Sequence, residues 1–344
     1  MITVLDRIDV APAHLPRLRA LLRERYVPGA QERGLVLQEE WVSPPLALAD
    51  QPNALWLRWL LPDAGAFWAM RYRSGDPAVL AFWREVDSLV EARERRFLVP
   101  ADTVLPGPED VTLFLASPAQ WRETAQLHLP DAAAAAEIAS FGAALAEACA
   151  ALPGMDTFRL GQNLVPAYGA GHFTLDLVYP DRPTAEASRE GGLWRERVLP
   201  LMSAHCSAVS ALGLATIGAG ARAPGLANGI KRTALFRLLP GVSAGAQARF
   251  ERDTLEMAAQ IPAIRNWRLS RAMTLDWDAS GVAPWSYVWE QEYETLEGLT
   301  VDYMVHPHHW AHVDRSFDPE SGVQIIDTAL CHAFCPLEAG VITR

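Results

Sequence analysis

A segment that occurs twice restricts the fold of this chain more than any other feature. ALFRLLPGVSAGAQARFERDTLEMAAQIPAIRNWRLSRAM, starting at Ala234, lies over AQLHLPDAAAAAEIASFGAALAEACAALPGMDTFRLGQNL, starting at Ala125, with one gap. Leu239-Pro240 falls on Leu129-Pro130, Ile261-Pro262 on Leu152-Pro153, and Trp267-Arg268-Leu269 on Phe158-Arg159-Leu160. Each copy reads as a strand, a helix of about twenty residues, a proline turn and a second strand. A third strand follows, WSYVWEQEYE from Trp285 and HFTLDLVYP from His172. A second helix and a last strand close each copy, IIDTALCHAF in one and GLATIGAGA in the other. The βαββαβ order predicts an α+β, ferredoxin-like unit with one antiparallel sheet and both helices on one face.

The first hundred residues fit the same template more loosely. ITVLDRIDV reads as a strand, AHLPRLRALLRERYVPGA as a helix, LVLQEEWV and ALWLRWLLP as strands, DPAVLAFWREVDSLVEARE as a helix and RRFLVP as a last strand. Three tandem ferredoxin-like units are therefore expected, at 1–105, 112–222 and 229–338. The joints DTVLPGPED and GARAPGLANG are rich in Pro and Gly. A sheet with helices on one face leaves its other face to be buried, and two such sheets facing each other enclose a space. Three units cannot all pair within one chain, so a homodimer is the expected completion.

Composition removes several classes of function. A formal net charge of −11 argues against a nucleic-acid partner, because that affinity rests on neutralising phosphates. The basic run EARERRF alternates with Glu and reads as a solvated face. Lys231 is the only lysine among 30 basic residues, which leaves Schiff-base chemistry one candidate. Cys149, Cys206, Cys331 and Cys335 are scattered, as free thiols in a reducing compartment would be. No stretch is apolar enough for a signal core or a membrane span. A cytoplasmic protein is expected, with no membrane partner.

The third unit resembles the stress-responsive A/B barrel (dimeric α/β-barrel) family through KRTALFRLLPGVS, IPAIRNW, EYETLEGLTVDYMVHPHH and IIDTAL. The first unit is similar to NIPSNAP-type modules through DPAVLAFWREVD and RRFLVP. Within the A/B barrel family the functional likeness is to a plant polyketide cyclase, the enzyme that closes olivetolic acid, whose YxxHPxH pattern falls here on Tyr303 and His309. The resemblance implies His309 as general acid/base and Tyr303 as the residue that holds the substrate oxygen. Where that cyclase has a histidine in its first strand, this chain has Arg232, whose guanidinium suits a substrate carboxylate.

Candidate sites follow from these residues. DYMVHPHHWAH places four of the nine histidines within seven residues. His308 and His312 are spaced as zinc ligands on a helix are, but the HExxH glutamate is missing, so no metal is expected. His306 and His312 have a plainer reading at a helix end. The matching stretch of the middle unit, ERVLPLMSAH, has Glu196 and Met202 where the third unit has Tyr303 and His309. GVSAG fits a nucleophile elbow, but a helix cap at Ser243 explains it more simply. Trp285, Tyr287 and Trp289 share one side of a strand by alternation, as do Arg232, Ala234, Phe236 and Leu238. The resemblance places the latter face toward the cavity. Expected substrate contacts are thus Arg232, Phe236, His306, Trp285, Tyr287 and Trp289, with His309 and Tyr303 catalytic. The expected function is a cofactor-independent lyase or cyclase acting on a hydrophobic aromatic carboxylic acid or polyketide-like substrate. The alternatives are a non-catalytic small-molecule-binding stress protein, or a haem or oxygen enzyme on a related barrel.

Overall fold

The computed structural model describes residues 1–111, 120–167 and 169–343, so the opening of the expected 112–222 unit lies outside the described residues. The chain divides into two compact units, one of residues 1–107 with 304–328 and one of residues 108–303 with 329–344. This division differs from the repeat boundaries. The run after Tyr303, which carries the histidines, is grouped with the first copy rather than with its own repeat.

In the first unit, strands β1 (Ile2–Val10), β2 (Val36–Ser43), β3 (Asn53–Leu61) and β4 (Ala92–Leu98) form an antiparallel sheet in the order β2-β3-β1-β4. Alternation along β1 buries Val4, Ile8 and Val10 against helices α1 (Leu15–Leu21), α2 (Val27–Glu32), α3 (Ala64–Arg71) and α4 (Pro77–Asp87). The sequence pattern does not anticipate α3. It forms because the Asp63 carboxylate accepts from the Ala66 backbone N–H at 2.8 Å, an N-cap for a segment that buries Phe67 and Met70. The expected helix through Glu94 ends at Asp87, since Ala92 to Leu98 pair with β1 instead.

In the second unit, eight strands make one sheet: β5 (Trp121–His128), β6 (Thr157–Gln162), β7 (Phe173–Tyr179), β8 (Ala208–Ala221), β9 (Ala227–Phe236), β10 (Asn266–Thr274), β11 (Tyr287–Tyr293) and β12 (Cys331–Ala339). The order β12-β9-β11-β10-β8-β5-β7-β6 sets two ferredoxin-like copies side by side through β10 and β8. Helices α5 (Ala135–Ala150), α6 (Arg182–Glu190) and α7 (Leu199–His205) belong to the middle copy and α8 (Ala244–Gln260) to the third. The two ends of the sheet approach each other, where the Leu164 N–H donates to the Phe334 carbonyl at 2.9 Å and Arg159 to the Pro336 carbonyl. The sheet is thus a nearly closed barrel. The junction of the two copies, where β8 pairs with β10, needs Gly220, because a Cβ there would lie 2.0 Å from the Trp267 ring.

All three copies share one strand order, so the threefold α+β repeat expected from the sequence is present. One detail differs: the last strand of the third copy begins at Cys331, while Ile325 and Ile326 direct their N–H groups to the Ser316 carbonyl in the first unit.

Candidate functional site

The two faces of β9 have opposite chemistry. Lys231, Thr233 and Leu235 point into the barrel, where Leu235 packs with Leu212, Val288, Cys331 and Ala333. Arg232, Ala234 and Phe236 point outward, and Phe236 meets Phe250 of α8 at 6.1 Å between ring centroids. This corrects the expected cavity face: the side that carries Arg232 packs beneath helices, and the interior between the two copies holds the other side. The aromatic stripe is also corrected. Tyr287 lies under α8, with its hydroxyl donating to Glu251 at 2.8 Å, and Trp289 shares that face. Trp285 precedes the strand, packs on the interior apolar cluster and carries the Arg237 guanidinium 4.4 Å over its ring.

The barrel interior is filled with charge. Arg122 donates to both carboxylate oxygens of Glu290, at 2.6 and 3.0 Å. Lys231 donates to both oxygens of Asp176 at 2.8 Å and lies 3.0 Å from Glu290. Burial alone would raise the Glu290 carboxyl, but Arg122 and Lys231 outweigh it and hold it down to about 2. Burial likewise disfavours a charged Lys231, and Asp176 and Glu290 more than reverse that, so its ammonium stays charged. A neutral amine for Schiff-base chemistry is not what this environment provides.

Outside the barrel, still within the second unit, the third copy brings together Arg232, Gln291, Tyr293, Tyr303 and His332. Register sets Gln291 opposite Arg232 on β11, and Arg232 donates to its carbonyl oxygen at 2.5 Å. The other terminal nitrogen of Arg232 donates to His332 Nδ1 at 2.7 Å, so a neutral His332 carries its proton on Nε2. The Tyr303 hydroxyl stands 3.5 Å from Arg232, with the guanidinium 5.3 Å over the tyrosine ring. Tyr293 meets Tyr303 edge-on at 6.0 Å, and burial pushes its phenol well above the ordinary value.

Arg232 is only 6% exposed, yet among the described residues no carboxylate lies within ion-pair distance of it. A buried guanidinium surrounded by neutral acceptors is an incomplete ion pair. The sequence points to Arg232 and Tyr303, which the structure brings together, but not to Gln291, Tyr293 or His332. Alternation would have placed Gln291 and Tyr293 on the face of Tyr287. The CHAFC spacing draws attention to its cysteines rather than to His332.

Tyr303 and His309 fall in different compact units. Within the first unit, the His309 ring lies 4.8 Å from that of Trp68, and the Trp68 indole donates to the Met304 carbonyl at 2.7 Å. Trp310 joins the apolar core beside Phe67 and Phe97. His306 accepts from the His308 N–H at 3.2 Å, and burial lowers its pKa. His308 and His312 are ring neighbours at 5.1 Å. The segment is anchored by Glu320, whose buried carboxylate accepts from Tyr26 at 2.9 Å, Arg33 at 2.7 Å and Arg95 at 2.8 Å. Among the described residues no three His, Cys, Asp or Glu side chains gather as a ligand set for a metal ion. No helix among them is long and apolar enough to cross a membrane. Ser243 caps α8 by accepting from the Ala246 N–H at 3.2 Å.

Residues 230–329 match the Stress responsive A/B Barrel Domain, so this part of the chain is such a domain. No curated protein matches the chain. Among solved structures it is similar to an anthrone oxidase-like protein, with 10% identity and a TM-score of 0.48 over 64% of this chain and 92% of that one. A putative monooxygenase from Lactobacillus acidophilus shows 11% identity and a TM-score of 0.41 over 65% of this chain and 99% of that one. A NIPSNAP domain protein from Burkholderia xenovorans shows 21% identity and a TM-score of 0.25 over 30% of this chain and 98% of that one.

Proposed function

We propose that this chain, which carries an A/B barrel domain at residues 230–329, is a cofactor-independent lyase or cyclase acting on a hydrophobic aromatic carboxylic acid or polyketide-like substrate. The observation that carries this reading is Arg232, a buried guanidinium without an anionic partner beside the Tyr303 hydroxyl. A substrate carboxylate completes the ion pair. Tyr303 then hydrogen-bonds the oxyanion or phenolate that develops as a bond to the neighbouring carbon breaks or closes. An imidazole carries the proton. The family resemblance implies His309 for that role, and His332 is the imidazole in contact with Arg232.

Calorimetric titration with 2,4-dihydroxybenzoate and with its methyl ester tests the reading. The acid should bind the wild type more tightly than the ester, and Arg232→Ala should abolish that difference. Equal binding of acid and ester by the wild type would overturn it.

A further inference from the structure

The internal repeat supplies a comparison for the Arg232 site. Superposing Ala234 on Ala125 sets Arg232 on Glu123 and Tyr293 on Tyr179, and the strand registers agree: Arg232 faces Gln291 on β11, Glu123 faces Leu177 on β7, and each tyrosine ends its strand. In the middle copy the strand residue is therefore the anion. Arg189 of α6 donates to Glu123, and the Trp121 indole donates to the same carboxylate at 2.8 Å. The third copy has its cation on the strand, and among the described residues no side-chain carboxylate answers it.

Two more buried polar groups lie at the same place, the Gln291 Nε2 amide and the Tyr293 hydroxyl; Gln291 bears on the phenol as a hydrogen-bonding neighbour, and neither atom makes a close, well-aligned hydrogen bond to any other described residue. Both residues are 0% exposed. An amide nitrogen carries two N–H donors and a phenol one O–H, so the Gln291–Tyr293 contact leaves donors over for a further acceptor beside Arg232.

We infer that Arg232, Gln291 and Tyr293 form a socket for one carboxylate monoanion, in which the ligand stands where the middle copy supplies Glu123 and Arg189 as its own pair. This rests on the reading of Arg232 as a carboxylate site and names the groups that receive the second oxygen. The charge fixes the class of ligand. One guanidinium neutralises one negative charge, and Arg232 is the cation that Gln291 accepts from, so a phosphate dianion held by it is left half-compensated. The rings of Tyr293 and Tyr303 wall the place, which suits a planar group. Tyr303 is 2% exposed, so access requires the Gly298–Tyr303 turn to lift, and Val301 on that turn is already 49% exposed.

Gln291→Glu tests this directly, because it places a carboxylate against Arg232 with almost no change in shape. The variant should melt about 2–4 °C higher, the shift expected where a stabilisation near 1 kcal/mol is added to a domain of this size. It should also lose measurable binding of 2,4-dihydroxybenzoate. Gln291→Met and Tyr293→Phe, which remove the amide and phenol donors, should each weaken the acid about tenfold and leave the methyl ester unchanged. They keep the test open if Gln291→Glu does not fold. If Arg232→Ala loses the acid while Gln291→Glu, Gln291→Met and Tyr293→Phe bind it as the wild type does, the socket is wrong and the carboxylate reading stands. If the wild type prefers inorganic phosphate, or binds no acid although Gln291→Glu is stabilised, both are wrong.

Discussion

Lys231 holds Asp176 across the barrel at 2.8 Å to each carboxylate oxygen, and the contact is one of two related by the internal repeat. Its counterpart joins Arg122 to Glu290. Arg122 matches Lys231, and Asp176 matches Glu290, since they face Thr124 and Thr233 respectively. Each copy thus gives one cation and one anion to the other, the exchange expected of a two-fold interface. Removing one member strands a buried charge, so Lys231→Met or Asp176→Asn should destabilise the barrel by about 3–5 kcal/mol in urea unfolding. A loss below about 1 kcal/mol would show that water reaches the barrel interior.

Stability should peak on the acid side of neutrality. Burial lifts the Asp314 carboxyl to about 6 despite Arg71 at 2.7 Å, above its ordinary 3.8, so the folded state takes up this proton first and gains stability as pH falls from about 6. Glu320 and Glu290 behave oppositely. Burial would raise each, but arginines hold both at about 2, below the ordinary 4.5, so their contribution is full above 4.5 and is lost as pH falls toward 2. Melting temperature measured from pH 3 to 8 should be highest near pH 5, and a steady fall from pH 7 to 5 contradicts the assignment.

Turnover separates the imidazoles. Once a turned-over acid is in hand, replacing the proton carrier by alanine should lower kcat by about 10²- to 10⁴-fold, while the other histidine should matter far less. Comparing His309→Ala with His332→Ala decides between resemblance and contact. Tyr303→Phe should lower kcat with KM little changed, and full activity in Tyr303→Phe removes the oxyanion role.

A homodimer should form through the first copy. On the face of its sheet away from its own helices, Trp41 pairs across strands with Trp56, and Trp41 is 47% exposed. Light scattering at micromolar concentration should give twice the chain mass, and Trp41→Glu with Trp56→Glu should halve it. A monomeric wild type refutes the dimer.

Chelation should change nothing. The histidine segment lacks a third ligand among the described residues, so treatment with EDTA should leave the melting temperature unmoved. A drop would call for a metal ligand set completed in some other way.

How much of this was legible beforehand depended on whether a feature was local. The repeat, the βαββαβ order and the cap at Ser243 follow from periodicity and turn residues, which act over a few positions. Alternation on β9 correctly separates Arg232 from Lys231 but gives no sign of which face meets helices. That is decided by α8, whose Phe250 lies under Phe236 and Tyr287. The placement of residues 304–328 with the first copy depends on Glu320 finding Tyr26, Arg33 and Arg95, partners more than two hundred positions away. The site was half legible for the same reason. Arg232 and Tyr303 announce themselves by type, whereas Gln291 and His332 matter only through the strand register that sets them beside Arg232.

The fusion of two copies into one barrel has a consequence for inheritance. In a dimer of identical chains every substitution appears twice, so a change that suits one half is imposed on the other. Here the halves are separate stretches of a single chain, and the same strand position is Arg232 in one and Glu123 in the other. One half is free to lose its vacancy while its twin retains it.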